Sequence, residues 1–243
     1  MNRIHRRLAR WLGAALCVFS LCGTGSPDTA AAAAGPAAVY RVDTREKVAA
    51  LTFDISWGER APGPILDILQ NRQVAKATFF LSGPWVTHHP DIAKRIRDMG
   101  FEIGSHGHMH KDYSQHSDGW IRDQAAKAAR SIHDTLGVKT TLIRTPNGDF
   151  NKRVLAVLHS LGYTVVQWNT DSLDWMNPGV EAIKQRVLTR VVPGDIILMH
   201  ASDSCKQTHL ALPAIIDGLR AKGYRFATVS ELIAGAKVHS GAQ

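Results

Sequence analysis

The sequence is poor in cysteine. Of its three cysteines, Cys17 and Cys22 lie near the N-terminus and only Cys205 lies in the body of the chain. Once the N-terminal segment is removed, an intrachain disulfide cannot form. The protein is therefore expected to be stable without a disulfide framework, because a domain of about 200 residues can bury enough core on its own.

The sequence also lacks an apolar run of about 20 residues, the length that spans a bilayer comfortably. The apolar run 11–22 is shorter; it follows Arg3, Arg6, Arg7 and Arg10 and precedes the alanine run 30–34. A basic start, a short apolar centre and small residues at the exit predict a secretory signal peptide over residues 1–34. An uncleaved signal anchor is the alternative. In either case the protein is expected to be secreted or extracytoplasmic.

Acidic residues are in the minority, with 21 Asp and Glu against 29 Lys and Arg and a formal net charge of +8. Removal of residues 1–34 deletes four arginines and Asp28, which leaves +5. This surplus suits attraction to an anionic cell wall or membrane surface, although a soluble surface that happens to be basic is the alternative. No stretch resembles a nucleic-acid-binding motif, so we expect no nucleic-acid partner. Nothing in the sequence indicates an obligatory protein partner.

Strand-like and helix-like runs alternate through most of the chain. We predict a leader or linker over 35–46, one domain over 47–233 and a C-terminal tail over 234–243. The predicted strands are 47–54, 77–81, 101–104, 141–144, 163–170, 195–200 and 225–229. The predicted helices are 63–72, 90–99, 118–136, 151–161, 180–191 and 210–222. This alternation implies parallel strands with crossover helices, and seven such units favour an α/β barrel over an open doubly wound sheet.

Polar residues follow the C-terminal ends of five predicted strands. They are Asp54, His106, Arg144, either Asp171 or Asp174, and His200. In a β/α barrel this is the face on which active sites form. Buried structural polar groups are usually single and scattered, so the coincidence predicts an active site there.

His106 and His110 are the best candidates for metal ligands. If their segment is helical, the four-residue spacing places both imidazoles on one face, one turn apart. His108 would then point away and is predicted not to be a ligand. Asp54, at the end of the first predicted strand, could ligate a metal or accept a proton from activated water.

Arg144 stands in the sequence Arg-Thr-Pro-Asn-Gly, where a tight turn can hold the guanidinium inward. An arginine beside a catalytic aspartate orients the carboxylate and keeps it ionised. His200 ends a buried strand and suits a general acid, particularly if Asp174 holds its tautomer. Trp175 can form the wall of a sugar-binding cleft. Cys205 follows His200 closely, but as a lone thiol in a loop it is more often incidental.

These residues resemble five motifs of the NodB-homology polysaccharide deacetylases, carbohydrate esterase family 4. The motifs are Thr52-Phe53-Asp54, His106 with His110, Arg144-Thr145-Pro146-Asn147-Gly148, Asp171-Ser172-Leu173-Asp174-Trp175, and Leu198-Met199-His200. The resemblance implies a distorted (β/α)7 barrel that removes acetyl groups from N-acetylated glycans such as peptidoglycan or chitin, with a divalent metal, usually zinc.

The resemblance also implies a role for each residue. It makes Asp54 the catalytic base, Arg144 the group that steadies it, and His200 the general acid oriented by Asp174. His106 and His110 are implied as the metal ligands. Trp175, Pro146 and Leu198 are implied to contact the substrate.

The chain departs from the family in its first motif. Two adjacent aspartates are usual there, and the second is a metal ligand, whereas Asp54 is followed by Ile55. Either two histidines and water hold the metal, or Asp54 becomes the third ligand. The phrase Thr-Phe-Asp-Ile-Ser-Trp-Gly resembles the subgroup linked to endospore formation. Two alternatives to a deacetylase stay open: a catalytically impaired glycan-binding or spore-envelope protein on the same scaffold, and an esterase of small acyl esters.

Overall fold

The structure, a computed structural model, describes residues 36–235 and 237–241, and the predicted signal peptide lies outside the described residues. The strands are β1 Ala38–Asp43, β2 Val48–Ile55, β3 Thr78–Leu81, β4 Glu102–Ser105, β5 Leu142–Ile143, β6 Thr164–Val165, β7 Thr170–Asp171, β8 Asp195–His200, β9 Arg225–Phe226 and β10 Lys237–Gly241. The helices are α1 Pro62–Asn71, α2 Gly83–His88, α3 Pro90–Asp98, α4 Asp118–Leu136, α5 Lys152–Ser160, α6 Val180–Arg190, α7 Thr208–Ala221 and α8 Val229–Ala234.

The strands form one sheet in the order β10-β1-β8-β2-β3-β4-β5-β6, with β7 beside β8 and β9 beside β2. Neighbours from β8 through β2 to β6 are parallel, whereas β1 is antiparallel to both β8 and β10. A parallel bridge between Val39 and Val166 brings β1 next to the end of β6 and nearly closes the sheet. The predicted α/β barrel is therefore confirmed in its distorted form.

Strand β2 is the centre of this barrel and is buried along its whole length. Its sequence, Val-Ala-Ala-Leu-Thr-Phe-Asp-Ile, is nearly continuous in apolar residues, as expected for a parallel strand covered on both faces. Apolar side chains of β2 and β3 pack with those of the surrounding helices, including α1 and α7, in the largest core cluster. Within the described residues, no helix combines the length and apolar character that a membrane span requires.

Local signals set the ends of the longest helix, α4. The Ser117 side chain accepts a hydrogen bond from the backbone N–H of Trp120, and Gly137 ends the helix with a φ of 71°. An oxygen-bearing N-cap and a left-handed glycine are the usual ends of a helix. The predicted bounds 118–136 agree with the structure.

Several predicted boundaries differ from the structure. The segment predicted as leader or linker contains β1, and the predicted tail contains β10, which pairs with β1. The predicted strand 163–170 is two short strands, β6 and β7, that pair with different neighbours. Helices α2 and α8 were not predicted. Each of these elements has only two to six residues, too few for apolar periodicity to identify it.

Candidate active site

A cavity of about 410 Å³ opens at the C-terminal ends of the parallel strands. Six of the residues predicted for the site line it: Asp54, His106, His110, Trp175, Leu198 and His200. Arg144 and Asp174 are fully buried and contact the lining residues rather than the cavity itself. Pro146 does not line the cavity; the next two residues of its turn, Asn147 and Gly148, take that place. Pro146 is itself buried, and the substrate contact implied for it stays a prediction.

Asp54 and His200 meet at this cavity because β2 and β8 are parallel and in register. Asp54 lies directly opposite His200 in that pairing, at the end of both strands. Ile55, one residue further on, is fully buried in the core cluster. Successive side chains of a strand point to opposite faces, so only Asp54 of this pair faces the cavity.

Arg144 holds the Asp54 carboxylate. Its Nη1 donates to Asp54 Oδ1 at 2.7 Å and to Thr52 Oγ1 at 2.9 Å. Its Nη2 donates to the carbonyl of Gln167 at 2.9 Å, and the guanidinium lies 4.2 Å from the centre of the Phe80 ring. Burial by itself would raise the pKa of Asp54, but the Arg144 charge and hydrogen bond, with the nearby imidazoles, bring that pKa below its ordinary value. The carboxylate is therefore kept ionised.

The two histidines lie on a loop after β4 and not on a helix. The prediction that the four-residue spacing places both imidazoles on one face assumed a helix, and that assumption is wrong. Gly107 has a φ of 72° between them, and the two ring centres lie 5.4 Å apart. The loop brings both imidazoles to the cavity, and the positive φ at Gly107 is one that glycine adopts without strain.

A backbone carbonyl group orients the His106 ring. Its Nδ1 lies 2.9 Å from the carbonyl oxygen of Arg144, and its Nε2 lies 3.9 Å from Asp54 Oδ2. Burial lowers the pKa of His106 to about 4, against the opposing pull of Asp54. Burial also lowers the pKa of His110. Both rings are therefore neutral near pH 7, the form that ligates metals.

Asp174, rather than Asp171, orients His200. Asp174 Oδ1 lies 2.7 Å from His200 Nδ1, and its Oδ2 accepts from the His200 backbone N–H at 2.8 Å and from Thr208 Oγ1 at 2.6 Å. Burial lowers the pKa of His200, but the hydrogen bond and charge of Asp174 outweigh it and leave that pKa above its ordinary value. Asp171 lines the cavity and caps its own turn by accepting from the N–H of Leu173.

Two sets of side chains could hold a metal ion. In the part of the chain that the structure describes, Asp174, His200 and Cys205 are the set whose ligand atoms lie within 4.8 Å of one another. Their chemistry fits poorly, because Asp174 and His200 are already hydrogen-bonded and burial raises the pKa of the Cys205 thiol to about 12. His106 and His110 fit better, since both are neutral, and the backbone bond to His106 Nδ1 is the kind of outer contact that orients a metal-binding imidazole.

The cavity includes residues that the sequence did not single out. Trp57 and Trp168 join Trp175 in its lining, and Trp57 packs edge-on against His110 with ring centres 5.3 Å apart. Trp57 and Trp175 are 47% and 50% exposed, which is unusual for so large an apolar side chain. The one sequence signal that could have identified Trp57 is its position three residues after Asp54.

The model of the polysaccharide deacetylase family matches residues 41–166. The chain belongs to this family. A peptidoglycan-N-acetylglucosamine deacetylase of Bacillus cereus is 34% identical over 80% of this chain and 92% of its own length. The protein YlxY of Bacillus subtilis is 35% identical over 82% of this chain, which spans only 61% of YlxY.

Among solved structures, BA3943 of Bacillus anthracis, described as a CE4 family pseudoenzyme, is similar to this family member. It is 33% identical with a TM-score of 0.78, over 85% of this chain and 72% of its own. A mutant of BA3943 with restored enzymatic activity is 35% identical with a TM-score of 0.77, over 82% of this chain and 72% of its own. The family resemblance of the motifs is thus confirmed, and so is the NodB-type barrel.

Proposed function

We propose that the protein is a metal-dependent N-deacetylase of amino-sugar polymers such as peptidoglycan. The observation that carries the proposal is that Asp54 and His200 lie side by side on neighbouring strands and both line one cavity. The pKa of Asp54 is lowered and that of His200 is raised, so one is ionised and the other tends to hold a proton. Titratable groups whose surroundings separate their pKa values in this way are typical of a base and an acid in one reaction.

The roles follow from these preferences. Asp54 accepts a proton from the attacking water, and Arg144 keeps its carboxylate ionised and fixed. As the amide C–N bond breaks, His200 donates a proton to the departing amine, so that acetate and a free amino sugar result. Asp174 accepts from the Nδ1–H of His200 and stabilises the imidazolium, whose second proton, on Nε2, is the one available for donation.

His106 and His110 would hold the divalent metal, for which zinc is proposed because neutral imidazoles are its common ligands. Bound there, the ion supplies polarisation of the acetyl carbonyl and acidification of water. Asp54 Oδ2 lies 3.9 Å from His106 Nε2 and is the nearest carboxylate that could join them. The chain offers no second carboxylate from β2, because Ile55 lies in the core.

The exposed faces of Trp57 and Trp175 suit a saccharide chain laid across the cavity, since aromatic rings present an apolar face to sugar C–H groups. Relatives named as peptidoglycan deacetylases favour a wall polymer as the substrate. We extend the proposal to a secreted, cell-wall-associated protein acting on wall or spore-cortex peptidoglycan, on the strength of the N-terminal pattern and the first-motif resemblance.

A second candidate is a glycan-binding protein without turnover. The position of Ile55 in the core favours it, as does similarity to a protein described as a pseudoenzyme. It predicts that oligosaccharides bind in the cavity while no acetate is released at any metal loading.

The deciding experiment couples metal binding to acetate release. Zinc is titrated into the metal-free protein and into His106→Ala, with His108→Ala as the matched control from the same loop. We expect one bound ion, lost in His106→Ala and kept in His108→Ala. Acetate release from N-acetylglucosamine oligomers should fall about 10²- to 10⁴-fold in Asp54→Asn and in His200→Ala.

Two outcomes would contradict the deacetylase proposal. Acetate release that is unchanged in both variants would remove the assigned base and acid. Absence of zinc binding up to millimolar concentrations, with oligomer binding retained and no acetate formed, would favour the glycan-binding protein instead.

A further inference from the structure

A second concave surface, which we call the basic groove, lies along one face of α4. Its cavity measures about 390 Å³ and is walled by α4, the loop that follows it, and the turn between α5 and β6. The cationic or protonatable residues in its lining are Arg122, Arg130, His133 and Lys139. The cavity is wide at α4 because three of the lining residues there have small side chains: Ala125, Ala126 and Ala129.

The basic groove is at the opposite end of the barrel from the candidate active site. Lys139 and Thr140 precede β5, and Leu161 and Tyr163 precede β6, so they lie at the N-terminal ends of these strands. The active-site residues follow the C-terminal ends. A ligand in the groove would therefore not occupy the catalytic cavity.

Within the part of the chain that the structure describes, the guanidinium and ammonium groups of the groove are not held in ion pairs, whereas His133 lies 3.3 Å from Asp134. Among the described residues, Arg122, Arg130 and Lys139 form no ion pair within 4.0 Å. The nearby acids are already engaged, since Asp123 pairs with Lys127 at 2.7 Å and Asp134 with His133 at 3.3 Å. No acidic side chain lines the groove.

Donors are available beyond the charges. Arg122 donates one N–H to Ser160 Oγ, at 3.1 Å. Because a guanidinium has five N–H groups, others remain for a ligand. The Thr140 hydroxyl is buried in the groove wall without a hydrogen-bond partner.

We propose that the basic groove binds the phosphate groups of a repeating phosphodiester polymer. Guanidinium and ammonium groups recognise phosphate through charge-assisted hydrogen bonds. The two arginines of α4 that line the groove, Arg122 and Arg130, are separated by about 12 Å at 1.5 Å per residue, so a chain with several phosphates suits the groove better than a single ion. The groove offers one exposed large apolar side chain, Leu161, too little for insertion into a membrane.

The test uses a fluorescently labelled glycerol-phosphate decamer and measures its anisotropy with the full protein at about 50 mM and about 200 mM salt. The decisive pair is Ala126→Glu and Ala126→Gln, which add side chains of nearly equal size and differ in charge. We expect Ala126→Glu to weaken binding about tenfold relative to Ala126→Gln. Both variants should keep the unfolding temperature of the wild type and its acetate release, if any, from a small substrate.

A triple variant, Arg122→Gln/Arg130→Gln/Lys139→Gln, should also lose about tenfold in affinity and show a shallower dependence on salt. Its matched control, Lys94→Gln/Lys152→Gln/Arg190→Gln, removes three exposed basic residues from other faces. Equal weakening in the two triple variants would overturn the proposal, because the attraction would then belong to the basic surface as a whole. Binding to vesicles of phosphatidylglycerol without binding to the decamer would overturn it as well.

Discussion

Asp54 and Asp195 are two buried aspartates on neighbouring strands, and they have opposite protonation behaviour. They are 4% and 0% exposed and lie at opposite ends of the β2–β8 pair. Asp54 is bonded to Arg144, and its pKa lies below the ordinary value. Burial raises the pKa of Asp195 to about 6, even though Thr170 donates to its Oδ2 at 2.6 Å.

The difference comes from the kind of partner rather than from depth. Burial disfavours both carboxylates, and only the guanidinium reverses it. Neutral donors reach one oxygen of Asp195, while the other, Oδ1, has no partner in the described structure. Of these two carboxylates, Asp54 lies at the end of the barrel where the cavity opens, and Arg144 stabilises its charge. Asp195 lies at the other end, and no cation among the described residues pairs with it.

The largest effect is expected from Arg144→Met. It would leave the Asp54 carboxylate buried without a cation, at a cost of about 3–5 kcal/mol in the free energy of unfolding. Urea unfolding measures this loss, and Lys127→Met, at an exposed pair with Asp123, should cost less than about 1 kcal/mol. Adding Asp54→Asn to Arg144→Met should recover part of the loss. Additive losses in the double variant would contradict the pairing.

The next largest effect is expected on activity, from Asp174→Asn. The proposed deacetylation should slow by about a hundredfold or more, because His200 loses its orienting acceptor. Asp174 also raises the pKa of His200, so the alkaline limb of the pH–rate profile should move to lower pH in the variant. Thr208→Val, which removes one hydrogen bond to Asp174, serves as the milder control. An unshifted alkaline limb would mean that Asp174 is only structural.

At the other end of the barrel, Asp195→Asn should stabilise the protein at neutral pH by up to roughly 3 kcal/mol. The folded-state pKa of about 6 exceeds the ordinary value of 3.8. Wild-type stability should therefore be greatest below about pH 4 as far as this group is concerned, and fall as the pH rises to 6. Thermal unfolding of both proteins at pH 4 and pH 7 measures the difference. A gap that does not widen with pH would refute the assignment.

The smallest effect is expected at Asp203. This third aspartate extends the comparison, because its hydrogen-bond donors are mainly backbone N–H groups. It accepts from the backbone N–H groups of Glu59, Arg60 and Ala61 at 3.3, 2.9 and 2.8 Å. Asp203→Ala should cost about 1–2 kcal/mol, as loss of a capping carboxylate does. The loop it anchors follows Trp57, so Trp57 fluorescence should respond to oligosaccharide less in the variant. Asp203→Asn, which keeps one acceptor oxygen, should retain most of the stability.

The sequence predicted the long, strongly patterned elements well. Helix α4 and strand β8 have the predicted bounds, because each has a full apolar pattern with clear end signals. Strands β1, β6 and β7 were missed or merged, since pairing with distant strands stabilises them rather than their own composition. The site was predicted through residues at strand ends, a position that parallel topology brings together.

By itself, the sequence determined the barrel, the end of the barrel where the polar residues meet, and the family. These depend on local periodicity and on residues a few positions apart, which a linear pattern retains. Only the tertiary structure decided that Pro146 lies outside the cavity while Trp57 lies in it, and that the two histidines meet through a loop. It also decided which aspartate has its pKa lowered, because the sign of a pKa shift depends on a cation 90 residues away in the chain and 2.7 Å away in space.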